Sequence, residues 1–251
     1  MTDLRLRPRT VSELVDAGFA LYRRNALQYI VISSLAIAPL LVLQLAEPGA
    51  LRPTATNLSG MFLVVQLASV LTYALMSAAV VKLGSMIYLG GEPDVAAAVR
   101  EVLPRVPSLL LAGLLLLPLF ALGFLVFIVG ALYVTARFFA VSTVVILEGK
   151  SATAAFGRSS ELSKGRKRHI LNTLGLVFLI YLVLSMGVGG LAALTQSTVL
   201  QLVISTVYTI VAYPVFALVQ MLLYYDTRIR GEGFDLEQMT SALGAPAVTA
   251  P

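Results

Sequence analysis

Long apolar runs, separated by short charged segments, dominate the pattern of hydrophobic and polar positions along the chain. Six runs approach or exceed the roughly 20 residues that an α-helix needs to cross about 30 Å of hydrocarbon. They cover Ala26–Leu45, Met61–Val81, Pro107–Phe127, Ile128–Leu147, His169–Gly189 and Val199–Tyr225. This pattern predicts an all-α fold: a polytopic membrane helical bundle with about six transmembrane helices.

The boundary between the third and fourth runs has no polar marker. The stretch Ser108–Ala136 contains no charged residue, and it is too long for one span and short for two. We place the turn near Phe127–Gly130, because an uncharged turn can lie at the outer interface.

Polar segments ahead of three spans predict amphipathic helices on the cytoplasmic side. The segment Thr10-Val-Ser-Glu13 is a capping box. Apolar residues follow it at helical spacing as far as Arg23-Arg24, which predicts a helix lying on the inner interface. Asp94 and Ser151 are N-cap candidates for two further helices. The three helices suggest a threefold plan, although any multi-span protein can carry amphipathic linkers there.

The positive charges predict an orientation. If the N-terminus is inside, every Lys and Arg except Arg52 and Arg137 lies on the inner side. The first apolar run is too long for the core of a signal peptide, so we expect an uncleaved span. The prediction is a bacterial plasma (inner) membrane protein with both termini in the cytoplasm.

The polar ends flank a single predicted domain. Residues 10–237 form the transmembrane helical domain, preceded by a polar tail at residues 1–9. Residues 238–251 carry no charge and consist largely of Ala, Pro, Ser, Thr and Gly. We expect this C-terminal tail to be disordered, because it cannot bury much apolar surface.

Composition limits the chemistry that the chain can perform. There is no cysteine, which excludes disulfides, thiolate nucleophiles and Cys-ligated metals. The single histidine, His169, has no second histidine to complete a metal site, and we expect it to be solvated. No nucleotide-binding or hydrolase motif occurs. We therefore expect no enzyme activity, cofactor or metal, and the sorting of charge by loop argues against nucleic acid.

The densest positive charge is a basic run ahead of the fifth span. It consists of Lys164, Arg166, Lys167 and Arg168, followed by His169. These four cations are candidate contacts for anionic lipid head groups on the inner face. The alternative is a topology signal without further function, and the two interpretations are compatible.

Four further polar residues are candidates for a structural or functional role. Arg137 lies within the fourth span, where an ionisable residue needs a partner. Glu148 is about 16 Å further along the same helix, too far for direct pairing, whereas Asp226 or Glu47 could reach Arg137 only through tertiary packing. Arg137 could instead bond to helix-end carbonyls or lie nearer the interface. Arg158 follows on the third amphipathic helix.

Prolines and glycines within the spans support a different interpretation. Pro39, Pro118 and Pro214 each interrupt a span, and transporters use such breaks at binding sites. The segment Gly187-Val-Gly189-Gly190 would allow close helix approach, or could be a loosened helix end. A small transporter or permease-like subunit is therefore the alternative function.

Three stretches together resemble a known family. They are residues 10–25, residues 137–165 with Glu148-Gly149 and Arg158-Ser159, and residues 224–236 with Asp226. The chain resembles the membrane domain fused to some bacterial glycerophosphodiester phosphodiesterases, and their stand-alone relatives. The catalytic barrel of those enzymes has no counterpart here. The resemblance implies a membrane module without catalytic activity, either lipid-associated or a scaffold for a protein partner.

Overall fold

The computed structural model of the protein describes residues 7–46 and 60–234. Glu47 and the predicted C-terminal tail at 238–251 lie outside the described residues, as do residues 1–6. Within the described ranges the chain forms ten α-helices and no strand. They are α1 (Val11–Arg24), α2 (Ala26–Ala46), α3 (Gly60–Tyr88), α4 (Val95–Val102), α5 (Val106–Leu125), α6 (Phe127–Phe138), α7 (Val141–Glu148), α8 (Ala152–Leu162), α9 (Lys167–Ala193) and α10 (Thr198–Glu232).

Six of the helical segments are long and apolar enough to cross a membrane. They are α2, α3, α4 joined to α5 through a short 3-10 turn, α6 with α7, α9, and α10. The predicted all-α membrane bundle is confirmed, and the chain is a multi-pass membrane protein. Three spans end later than predicted: α9 at Ala193, α3 at Tyr88 and α10 at Glu232. At 35 residues, α10 is about 52 Å long.

All three predicted N-caps are present. Thr10 and Glu13 form both bonds of the capping box, and Asp94 and Ser151 each accept a hydrogen bond from the first turn of their helix. The expected lipid-facing position of α1 needs correction. Its apolar face is buried against protein, and a Cβ on Gly18 would lie 2.5 Å from the Val219 side chain of α10. Protein therefore covers the surface that we expected lipid to cover.

The turn between the third and fourth spans lies at Val126 and Phe127, beside the predicted position. The Val126 amide donates to the Gly123 carbonyl at 3.1 Å, and Phe127 has a φ of +59°. The backbones of α5 and α6 touch directly after this turn. A Cβ on Gly130 would collide with the carbonyl oxygen of Gly123, so only glycine fits there.

The fourth span is broken between α6 and α7, and this was not predicted. Side chains from other helices bind the backbone groups that the break leaves without helical partners. The Ala140 amide donates to Ser159 Oγ at 3.1 Å, and Gln220 Nε2 donates to the Phe139 carbonyl at 2.7 Å. By contrast, α2, α5 and α10 continue through Pro39, Pro118 and Pro214. The prolines therefore do not divide their helices.

Packing is uneven along the bundle. The dense core joins the C-terminal halves of α3 and α10 to α1, α4, α7 and α8. We call this the basic end, because Arg9, Arg158, Arg166 and Arg230 gather there. At the opposite end, where α2 and α9 end and α10 begins, many apolar side chains are exposed, as expected for surfaces that face lipid.

Candidate functional site

A buried carboxylate organises one side of the basic end. Asp226, near the end of α10, is only 2% exposed. It accepts hydrogen bonds from the Arg9 backbone amide at 2.7 Å and from Arg230 Nε at 2.8 Å, and His169 Nε2 lies 3.0 Å from it. Because each partner belongs to a different segment, the carboxylate ties the N-terminal segment and α9 to α10.

The residues just before α1 are held tightly by this arrangement. Arg9 is buried, and its carbonyl accepts a hydrogen bond from Arg230 at 2.6 Å. Its guanidinium donates to the Tyr88 hydroxyl at 3.2 Å. The extended segment that leads into α1 therefore closes over the ends of α3 and α10.

A second ionic network joins α7, α8 and α10. Arg158 Nε donates to both oxygens of Glu148, at 3.0 and 3.1 Å, while its terminal nitrogens bind Glu232. Glu148 also accepts a hydrogen bond from the Tyr224 hydroxyl at 2.9 Å. Hydrogen bonds from Arg158 to Glu232, and then to Glu148, raise the pKa of Arg158 above its usual range. The guanidinium therefore remains charged and bridges two carboxylates.

Arg137 does not join either network. Its Nε donates to Ser160 Oγ of α8 at 3.1 Å, and a terminal nitrogen donates to the Tyr133 hydroxyl at 3.0 Å. The suggestion that Asp226 could be its partner is wrong, because that carboxylate is occupied elsewhere. Arg137 stands at the break of the fourth span, beside α8, which agrees with the interfacial alternative.

The single histidine was also misjudged. We expected His169 to be solvated, but its imidazole lies against the buried Asp226 carboxylate and is 23% exposed. The contact joins residues 57 positions apart, so no local pattern could reveal it.

The structure divides the four predicted head-group residues between two sides of α9. Lys164 and Lys167 lie on the side of Arg137, and the Lys167 ammonium is 4.1 Å from the centre of the Tyr133 ring. Arg166 and Arg168 line a cleft on the other side. The basic run is therefore two sites rather than one.

A charged depression of the described surface lies beside Arg166 and Arg168. Its volume is about 830 Å³, and it is lined by Pro8, Gly165, Arg166, Arg168, His169, Asn172, Ile229 and Arg230. The first turn of α9 opens beside it, and no side chain caps that turn. Free amides at a helix N-terminus and surrounding guanidinium groups both favour an anion.

Sequence reasoning missed several residues of this end. Ser159 and Gln220 hold the break of the fourth span, and no local signal indicates it. Arg230 could have been found, because it lies four residues after Asp226 on one helix, the spacing at which opposite charges pair. Most of the stretches on which the family resemblance rests therefore make contacts between helices. Glu148, Arg158 and Ser159 are examples.

A second cavity lies at the opposite end, among α2, α3, α9 and α10. Its volume is about 490 Å³, and it is lined by Ile37, Leu40, Gln44, Tyr73, Gly189, Ala192, Ala193, Thr198, Gln201, Leu202, Ser205, Thr206 and Thr209. Arg137 and the three span prolines are not among these residues.

Comparison with known proteins leaves these two cavities as the main guide to function. No protein-family model, curated protein or solved structure matches the chain. In the described part of the chain, no three His, Asp or Glu side chains come together as a metal site would require.

Proposed function

We propose that the protein is a non-catalytic membrane protein of the bacterial plasma membrane that binds anionic lipid head groups at its basic end. The observation that carries the proposal is the cleft lined by Arg166, Arg168 and Arg230. The basic end faces the cytoplasm, in keeping with the positive-inside distribution of Lys and Arg.

The charge balance of the cleft supports an anionic ligand. Arg168 is exposed and has no carboxylate partner among the described residues, while Arg166 donates to two backbone carbonyls. Only Arg230 is paired, with Asp226. The cleft therefore retains net positive charge, and each basic residue near an anionic surface contributes about 1 kcal/mol.

Neighbouring aromatic contacts fit a position at the membrane surface. Tyr133 is exposed, with Lys167 over its ring and Arg137 bonded to its hydroxyl. Tyrosine is enriched at the boundary between hydrocarbon and water. The resemblance to lipid-related membrane domains supports the same function by analogy.

The test compares two variants with equal loss of charge. Arg166→Gln with Arg168→Gln removes both cations from the cleft, whereas Arg23→Gln with Arg24→Gln removes two exposed cations from the end of α1. Retention of phosphatidylglycerol against phosphatidylcholine is measured by native mass spectrometry of the protein released from mixed nanodiscs. Two contributions of about 1 kcal/mol predict roughly 30-fold weaker retention for the cleft variant.

The control variant should retain phosphatidylglycerol within a factor of about three of the wild type. Equal losses in both variants would mean that surface charge in general, and not the cleft, attracts the lipid. Unchanged retention in the cleft variant would rule out the proposed site.

The proposed orientation is tested separately by reporter fusions. Fusions after Thr56 and after Thr195 should score as external, and a fusion after Leu162 should score as cytoplasmic. An internal score at either external position would contradict the orientation.

A small transporter is the second candidate, because of the polar cavity at the opposite end. A carrier must open its site to both sides of the membrane in turn. Below this cavity the bundle is densely packed, and the helices around it pass through Pro39 and Pro214 unbroken. Uptake of substrate into vesicles would favour this candidate over lipid binding alone.

A further inference from the structure

The cavity at the opposite end has an unusual lining for a space between membrane helices. It reaches from Gln44, near the end of α2, to Thr209, which lies about 16 Å into α10. We infer that it binds an uncharged, hydroxyl-rich group: the head group of a neutral glycolipid or a free polyol. This inference does not depend on lipid binding at the basic end, since the two sites share no residue.

Several side chains of the lining have polar atoms available for a ligand. Thr206 is 7% exposed, and its hydroxyl has no hydrogen-bond partner among the described residues. The half-buried amides of Gln44 and Gln201 are likewise without partners in the described part of the chain. A carboxamide carries two donor hydrogens and one acceptor oxygen. In a membrane interior such groups need a partner, because their desolvation is costly.

Two hydroxyls of α10 add acceptors. Ser205 donates to the Gln201 carbonyl at 2.9 Å, and Thr209 donates to the Ser205 carbonyl at 2.9 Å. Their hydrogens are therefore used within the helix, and the oxygen lone pairs remain. The cavity thus offers both donors and acceptors, which matches a hydroxyl group, since a hydroxyl does both.

The described lining carries no charge, and this restricts the chemical class of the ligand further. Among the described residues that line this cavity there is no Lys, Arg, Asp or Glu. A charged ligand would lose its hydration without gaining an opposite charge. Ile37, Leu40 and Leu202 form an apolar wall beside the polar groups. A volume of about 490 Å³ lies within the range of small-molecule sites.

Glycine on α9 keeps the cavity open. A Cβ on Gly189 would meet no atom within 4 Å, so a side chain there would extend into free space within the cavity. Gly190 is equally free of neighbours but does not line the cavity. Neither alternative that the sequence offered for these glycines is observed, because no other helix contacts them closely and α9 continues past them to Ala193. They offer a matched pair for a test instead.

The experiment compares Gly189→Leu, which fills the cavity, with Gly190→Leu, which does not. One arm measures retention of monoglucosyl diacylglycerol from mixed nanodiscs by native mass spectrometry. The other arm measures binding of methyl glucoside to the detergent-solubilised full chain by saturation-transfer NMR. Melting temperatures of both variants check folding, and Gln201→Leu replaces Gly189→Leu if that variant does not fold.

We expect wild type and Gly190→Leu to bind in at least one arm, and Gly189→Leu to bind at least tenfold more weakly. Binding in the lipid arm alone identifies a lipid head group, and binding in the sugar arm identifies a free polyol. No binding in either arm, equal binding by both glycine variants, or equal retention of charged phosphatidylserine would overturn the inference. Arg166→Gln with Arg168→Gln should leave this binding unchanged, which separates the two sites.

Discussion

The buried Asp226 carboxylate offers the sharpest test of how the basic end is held together. Asp226→Asn keeps the size of the side chain and removes its charge. One carboxylate oxygen accepts from the Arg9 amide, and the other contacts both Arg230 and His169. The NH₂ group of the new amide must therefore face either the Arg9 amide itself or Arg230, whose guanidinium holds the Arg9 carbonyl. The substitution should therefore release the N-terminal segment at Arg9 from the end of α10.

The expected loss of stability follows from the contacts. Hydrogen bonds to charged groups contribute about 1.5–3 kcal/mol each, and breaking a buried ion pair costs about 3–5 kcal/mol. The Arg230 side chain is 34% exposed, so solvent screens part of that pair. We expect a loss of about 2–4 kcal/mol in the free energy of unfolding. For a chain of this size the melting temperature should fall by about 4–16 °C.

The lack of cysteine provides a clean assay. A cysteine placed at the fully buried Ala155 is the only thiol, and a maleimide dye reports its exposure on heating. Asp16→Asn, at an exposed position of α1, is the matched control. Trypsin cleavage after Arg9, which is now 3% exposed, should accelerate in Asp226→Asn at temperatures where the bundle remains folded.

Two results would refute this reasoning. One is a melting temperature of Asp226→Asn within about 1 °C of the Asp16→Asn control. The other is an unchanged rate of cleavage at Arg9, which would mean that other contacts hold the N-terminal segment.

Three further outcomes can be measured on the same cysteine background. Gly130→Ala should lower the melting temperature because its methyl group collides with backbone, whereas Gly113→Ala, which meets no atom within 4 Å, should raise it slightly; equal effects would contradict the close contact. Ser159→Ala should cost about 1–3 kcal/mol, because it leaves a backbone amide unpaired at the break of the fourth span, and a neutral result would argue against that bond. The Arg7 hydrogen bond lowers the pKa of Glu13 from 4.5 to about 2. The stabilising contribution of the ionised Glu13 should therefore be complete above pH 4.5 and disappear as pH falls through 2. A titration of this carboxyl near pH 4.5, measured by NMR, would contradict this.

Local signals predicted much of the fold. The hydropathy of each span is a property of some 20 consecutive residues, and each N-cap depends on four. Thr10, Asp94 and Ser151 could therefore be identified without tertiary information. The ends of α3 and α10 were placed too early, because both helices continue beyond their apolar segments into the packed basic end.

The break of the fourth span and the ionic networks could not be predicted. The break contains neither proline nor glycine, and it is stabilised by Ser159 and Gln220, which are 19 and 81 residues from their partners. Asp226 and His169 are likewise far apart in the sequence, at 57 positions, so no local pattern indicates their contact. The sequence shows that positive charge is concentrated ahead of α9. The separation of these cations onto two sides of the helix depends on how α9 packs, which the sequence does not show.

The tight turn at Val126 and Phe127 has a consequence for how the protein enters the membrane. The third and fourth spans are joined without a polar loop, and the turn amide of Val126 is already bonded to Gly123. A segment of this kind can insert as a preassembled helical hairpin, because no charged group has to be carried across the hydrocarbon. Both sides of the close contact between Gly123 and Gly130 belong to this pair of spans, so the hairpin can close on its own contacts without a third helix.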